Sequence, residues 1–95
     1  MLDLIIRNGT VIDGSGAPGV RADVGVGDGH VLVIGDLSGM IAAREIDATG
    51  RCVSPGFIDI HTHSDQSTLV NPRMESKIRQ GVTTEIGGLC CLSLA

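Results

Sequence analysis

Apolar and polar positions alternate from the start of the chain. Leu2, Leu4 and Ile6 interleave with Asp3, Ile5 and Arg7, and the turn-forming stretch "NGT" follows. A period of two predicts a strand, a turn, and a second strand at "TVID". "GSGAPG" (Gly14–Gly19) is composed of turn-forming residue types and reads as a loop. "RADVGVGDGHVLVIGDL" predicts two strands, Ala22–Val26 and His30–Ile34, around a turn at Asp28-Gly29. "SGMIAAREIDATG" is ambiguous. Met40–Arg44 fits a helical turn, whereas "REIDATGRCVSPG" fits a strand, a turn at Thr49-Gly50 and one more short strand. Residues 1–54 therefore read as successive short antiparallel strands, a sheet or half-sandwich.

The pattern changes at Pro55-Gly56. "GFIDIH" is a short apolar strand of the kind buried on both faces. "SDQSTLVNP" reads as a loop. "PRMESKIRQG" reads as a helix, with Asn71 as cap, Pro72 at the first position and Gly81 as terminator. On it Met74 and Ile78 share a face, and Glu75 and Arg79 form an exposed pair. "VTTEIGG" predicts another strand, and "LCCLSLA" follows. Strand, helix, strand is a βαβ unit, normally right-handed and parallel. One such unit cannot cover both faces of a parallel pair, so more strands and helices are expected beyond it. The division predicted is a β-rich segment over 1–54 and the start of an α/β domain over 55–95.

Composition narrows the classes. Among 95 residues there is one Phe and no Tyr or Trp, so any core is built from Val, Ile, Leu and Ala. The net charge of −4, with no basic stripe, argues against nucleic-acid binding. No apolar run approaches the ~18 residues of a membrane span. The N-terminus lacks the features of a secretory signal, and a cytoplasmic location is expected. The cysteines are Cys52, Cys90 and Cys91. An odd count with one adjacent pair is a poor disulfide framework and suits free thiols or metal ligands.

The chemistry concentrates at "HTHSD". Residues two apart on a strand face one side, so His61 and His63 point together at the C-terminal end of "FIDI". Two imidazoles so placed can grip one metal ion. Parallel α/β folds carry their sites at strand C-termini. Asp65 is placed to accept a hydrogen bond from an imidazole or to meet substrate, and Asp59 shares the parity of the histidines as a supporting partner. Cys90 and Cys91 follow the second strand, whose end lies on the same side as the first. They read either as thiolate ligands or as buried inert residues. His30 reads as a surface turn residue and Cys52 as a packed strand residue. "GSGAPG" lacks the Lys-Ser/Thr ending of a phosphate loop. Glu85 is a charge within an otherwise apolar strand, which is costly unless paired. It is either a site residue or a residue on a wet edge. Thr83 and Thr84 are most simply strand formers.

Three segments, "DLIIRNGTVIDGSG", "VSPGFIDIHTHSD" and "KIRQGVTTEIGGLCCLSLA", together resemble the start of an amidohydrolase-superfamily enzyme. Within that superfamily they are most similar to the N-acyl-D-amino-acid deacylases (D-aminoacylases). The resemblance implies a metal-dependent (β/α)8 barrel with a small β-sandwich. Residues 1–54 would supply N-terminal sandwich strands, Gly56–His61 barrel strand one and Val82–Gly87 strand two. It implies zinc, one or two ions, held by His61, His63 and Cys90. The family stretch resembling "G-N-C-G-I-S" is altered here, with Leu89 in place of Asn and Cys91 in place of Gly. The thiol is retained, and Cys91 becomes a competing ligand. The implied reaction is hydrolysis of N-acyl-D-amino acids, small-molecule substrates. The implied general base is a later aspartate, not Asp65. These residues alone are expected to be an inactive N-terminal fragment. The alternatives are a cyclic-amide hydrolase of hydantoinase or dihydroorotase type, against which Cys90 argues, and a stand-alone metal-binding or β-rich interaction module.

Overall fold

The structure is a computed structural model that describes residues 1–62 and 64–87. The chain divides into two compact units, Met1–Pro55 and Gly56–Ala95.

The first unit is a five-stranded sheet built on β1 (Leu2–Val11), with β2 (Val20–Gly27), β3 (His30–Gly35), β4 (Ala42–Asp47) and β5 (Cys52–Val53). The order is β3-β2-β1-β4, and β5 also pairs with β1. Two expectations about the strands are corrected. "NGT" does not separate two strands. β1 runs through it, and Asn8 takes a φ of 63° where the register with β2 shifts between Ile6 and Gly9. The Asn8 amide donates to Asp23 Oδ1 at 2.9 Å, so the bulge keeps a polar partner. Nor are the strands all antiparallel. β1–β2 and β2–β3 are antiparallel, but β4 and β5 both join β1 in parallel. The turn at Thr49-Gly50 therefore does not pair its own flanks. It hands the chain from one half of β1 to the other.

The turn at Asp28-Gly29 falls where the sequence places it. Both residues have positive φ, 52° and 73°, the signature of the tight hairpin whose twist matches its strands. The core is small. Leu2, Ile5 and Leu37 are buried, with Ala42 packed on them, and Ile5 is fully enclosed. Arg7 closes its edge. Its guanidinium bonds both oxygens of Glu45, at 2.9 and 2.6 Å, and reaches the carbonyls of Leu37 and Met40 at 3.0 and 2.7 Å. The loop carrying Leu37 is thereby fixed over β1. Elsewhere Ile6, Val26, Val31, Ile34 and Val53 line an open apolar trough within this unit. Cys52 is exposed rather than packed, which corrects the expectation for it. His30 is an exposed turn residue, with Nδ1 2.7 Å from the Asp28 carbonyl.

The second unit holds β6 (Phe57–Asp59), α1 (Ser64–Val70), α2 (Glu75–Ile78) and β7 (Val82–Glu85). β6 and β7 pair in parallel, as the βαβ reading requires. Four local expectations fail. "SDQSTLV" is helical rather than a loop, and the Thr68 hydroxyl donates back to the Ser64 carbonyl at 2.7 Å. The next helix is only four residues long. Its cap is Met74, at φ 45° and without a side-chain bond, so neither Asn71 nor Pro72 opens it. Asn71 instead accepts the Met74 amide through its carbonyl at 3.1 Å. The Glu75 carboxylate pairs with Arg73 at 3.7 Å, whereas Arg79 meets Glu75 through its backbone amide, which donates to the Glu75 carbonyl at 3.0 Å. Gly81, at φ 89°, does terminate the element. β6 is not enclosed on both faces, since Phe57 and Ile58 are each 61% exposed.

Candidate metal centre

The parallel pair brings two strand ends together. The register sets Asp59 of β6 opposite Glu85 of β7. The ladder continues one step, with the Ile86 amide donating to the Asp59 carbonyl at 2.9 Å. Two carboxylates at one level repel unless a cation lies between them. Lys77, from α2, fills that role. Its Nζ lies 2.7 Å from Asp59 Oδ2 and 3.7 Å from Glu85 Oε1. The shorter contact is a charge-assisted hydrogen bond, and the longer is an ion pair only. Glu85 Oε1 is buried, with no hydrogen-bond partner among the described residues. Glu85 is thus a paired charge, as a carboxylate within an apolar strand requires.

Asp59 uses its other oxygen on the backbone. Oδ1 accepts the His61 amide at 3.2 Å, a side-chain turn two residues long. This bond ends β6 at Asp59, and the alternation that would carry side-chain parity on to His61 stops there. Asp59 therefore supports His61 through its main chain. The hydrogen bond from Lys77, and then that from the His61 amide, hold the Asp59 carboxyl below its ordinary range. The same Lys77–Asp59 bond raises the ammonium above its ordinary value.

His61 is exposed at this strand end. Thr62, next to it, is buried, and its hydroxyl has no hydrogen-bond partner among the described residues. His63, Cys90 and Cys91, and the side chain of Asp65, lie outside the described residues. The backbone of Asp65 belongs to α1. Among the described residues no three potential ligands cluster. Among the described residues, the side-chain types at the two strand ends are ones that zinc takes. His61, an exposed residue, stands just past the C-terminal end of one parallel strand, and the strand paired with it ends in Glu85, whose carboxylate is paired with Lys77. Imidazole nitrogen, thiolate sulfur and carboxylate oxygen are the donor types zinc takes. Lys77 is the residue sequence reasoning missed. The signal is present: two acids, one near the end of each predicted parallel strand, require a cation, and Lys77 is the only lysine in the 95 residues.

In chain order the elements are a β-rich leader sheet and then a parallel βαβ unit with His61 just past its first strand. The chain belongs to the amidohydrolase family, whose sequence model matches residues 44–92. It is 50% identical over 93 residues to a D-aminoacylase of Alcaligenes xylosoxydans xylosoxydans, covering 98% of this chain and 19% of that one. The solved N-acyl-D-glutamate deacylase of Bordetella bronchiseptica, complexed with zinc and a phosphonate inhibitor, is 46% identical with a TM-score of 0.94, covering 99% of this chain and 20% of that one. The L-hydantoinase of Arthrobacter aurescens is 35% identical with a TM-score of 0.76, covering 90% and 20%. The chain thus spans about a fifth of the length of the relatives it matches. The fold class is the one expected: sandwich strands followed by the first βαβ of a (β/α)8 barrel.

Proposed function

We propose that the protein carrying these residues is a zinc-dependent hydrolase of the amide bond in N-acyl-D-amino acids. The observation that supports it is His61 at the C-terminal end of β6, with β7 beside it, in a chain half identical to a D-aminoacylase. His61, His63 and Cys90 are the proposed zinc ligands. When bound, zinc polarises the amide carbonyl and activates the attacking water. Asp59 holds the main chain of His61, and Asp65 is assigned to the substrate side or to support of an imidazole. The general base is assigned to an aspartate outside these 95 residues, and the 95 residues alone are proposed to be inactive. Substrates are small molecules. The cytoplasm suits the unpaired-thiol reading of Cys52, Cys90 and Cys91.

The similarity to an L-hydantoinase supports a second reading, hydrolysis of a cyclic amide. The Cys90 thiol favours the first. The deciding experiment supplies the native protein with N-acetyl-D-amino acids, their L counterparts and a hydantoin, before and after chelation. Release of the D-amino acid, lost on chelation and restored by zinc, is expected. Opening of the hydantoin alone would establish the second reading, and turnover of none of them would contradict both.

A further inference from the structure

The Lys77–Asp59–His61 chain joins three elements: α2, the end of β6 and the segment leaving it. We propose that Lys77 is a positioning residue for the metal centre, fixing through Asp59 the direction in which His61 leaves the strand. This rests on the reading of His61 as a zinc ligand.

The geometry carries the inference. Asp59 has two oxygens and two jobs. Oδ2 accepts Lys77 at 2.7 Å and Oδ1 accepts the His61 amide at 3.2 Å. A carboxylate free to rotate about its χ angles would not hold the amide in one place, and the ammonium locks it. Lys77 also offsets the charge of Glu85, 3.7 Å away. Without it two carboxylates would face each other across the β6–β7 register, and Asp59 would swing from the strand end. Lys77 is itself held in place. The Gln80 amide bonds the Lys77 carbonyl at 3.0 Å, the Lys77 amide bonds the Met74 carbonyl at 3.0 Å, and the Lys77 side chain is two-thirds covered. A short helix is thus kept where it delivers one cation to two strand ends. Groups that orient metal ligands in this way set metal affinity, and their loss typically costs about 10–100-fold.

The test is competitive zinc titration of the metal-free native protein and its variants, with a chromophoric chelator as competitor. Lys77→Met is expected to weaken zinc binding by roughly 10–100-fold, and Lys77→Arg to recover most of that loss. Asp59→Asn is expected to lose as much as Lys77→Met, because its amide nitrogen no longer accepts the ammonium. The double variant is expected to lose no more than either single one. A helix tie with no bearing on His61 would lower the unfolding midpoint of both variants and leave their zinc affinity unchanged, and that result would overturn the proposal. Unchanged zinc affinity in Lys77→Met would also overturn it while leaving the zinc reading intact. Should Lys77→Met not fold, unchanged affinity in Asp59→Asn overturns it equally. A wild-type protein that binds no zinc removes both the proposal and the reading beneath it.

Discussion

Gly56 lies against Thr83 with no room for a side chain: a β carbon there would stand 2.6 Å from Thr83 Cβ, and nearer still to its Oγ1 and Cγ2. The contact lies at the start of the β6–β7 pair, where the Phe57 amide bonds the Gly81 carbonyl at 2.8 Å. Whatever parts the strands here also shifts their far ends, Asp59 and Glu85. Gly56→Ala is predicted to destabilise the native protein by about 1–3 kcal/mol through overpacking, read by denaturant unfolding. Adding Thr83→Gly relieves the overlap. Thr83→Ala does not, because its Cβ remains. Full rescue by Thr83→Ala would show that the strands separate easily and that this packing is not what sets their register.

Cys90 and Cys91 differ in their predicted contribution to zinc binding. Cys90→Ser is predicted to lower zinc content and deacylase activity together, since a hydroxyl is a poor substitute for a thiolate on zinc. Cys91→Ser is predicted to leave both unchanged. Metal analysis of the two variants checks this, and the reverse pattern would make Cys91 the ligand.

The hairpin between β2 and β3 supplies a stability prediction away from the site. Gly29 sits at φ 73° with open space where a β carbon would stand, so only backbone strain opposes substitution. Gly29→Ala is predicted to cost about 1–2 kcal/mol, the penalty of a left-handed conformation for an L-residue. Thermal unfolding measures it, and an unchanged midpoint would mean that the turn relaxes to another type.

Acid should loosen the leader sheet. The Arg7 hydrogen bond lowers the Glu45 carboxyl, and the Thr49 hydroxyl followed by its amide lowers Asp47. A carboxyl lowered on folding contributes stability above its unfolded value, about 3.9 for Asp and 4.3 for Glu. That contribution is lost as pH falls through the lower folded value. Unfolding midpoints are therefore predicted to drop below about pH 4 and to stay flat just above neutrality. The variant with Glu45→Gln and Asp47→Asn should show a shallower acid limb, while an identical limb would assign acid sensitivity to other carboxyls. Both pairs are solvent-accessible, so the difference is modest.

Much of the fold is legible in the residues, and the failures share one cause. Asp28-Gly29, Gly81 and the strands read at 22–26, 30–34 and from Val82 carry local signals strong enough to act alone, although the last ends at Glu85 rather than Gly87. The amidohydrolase resemblance rests on three spaced segments and does not depend on any one element. Asn8-Gly9 misleads because a two-residue turn signal also serves a bulge, and only the partner strand decides which. The parallel docking of β4 and β5 on β1 is a tertiary choice with no local mark. The polar residues of "SDQSTLV" suggest a loop, although Ser64 and Thr68 stand one helical turn apart. For the site, strand parity marks Asp59 as a supporting group but points it at the imidazole. The turn it makes with the His61 amide ends the strand, a competition between side chain and backbone that periodicity does not register.

The most direct measurement is the zinc content of the native protein beside that of its His61→Ala and His63→Ala variants, each confirmed folded by circular dichroism. The account predicts stoichiometric zinc in the native protein, lost or sharply reduced in both variants. Equal zinc in all three, or none in the native protein, would contradict it.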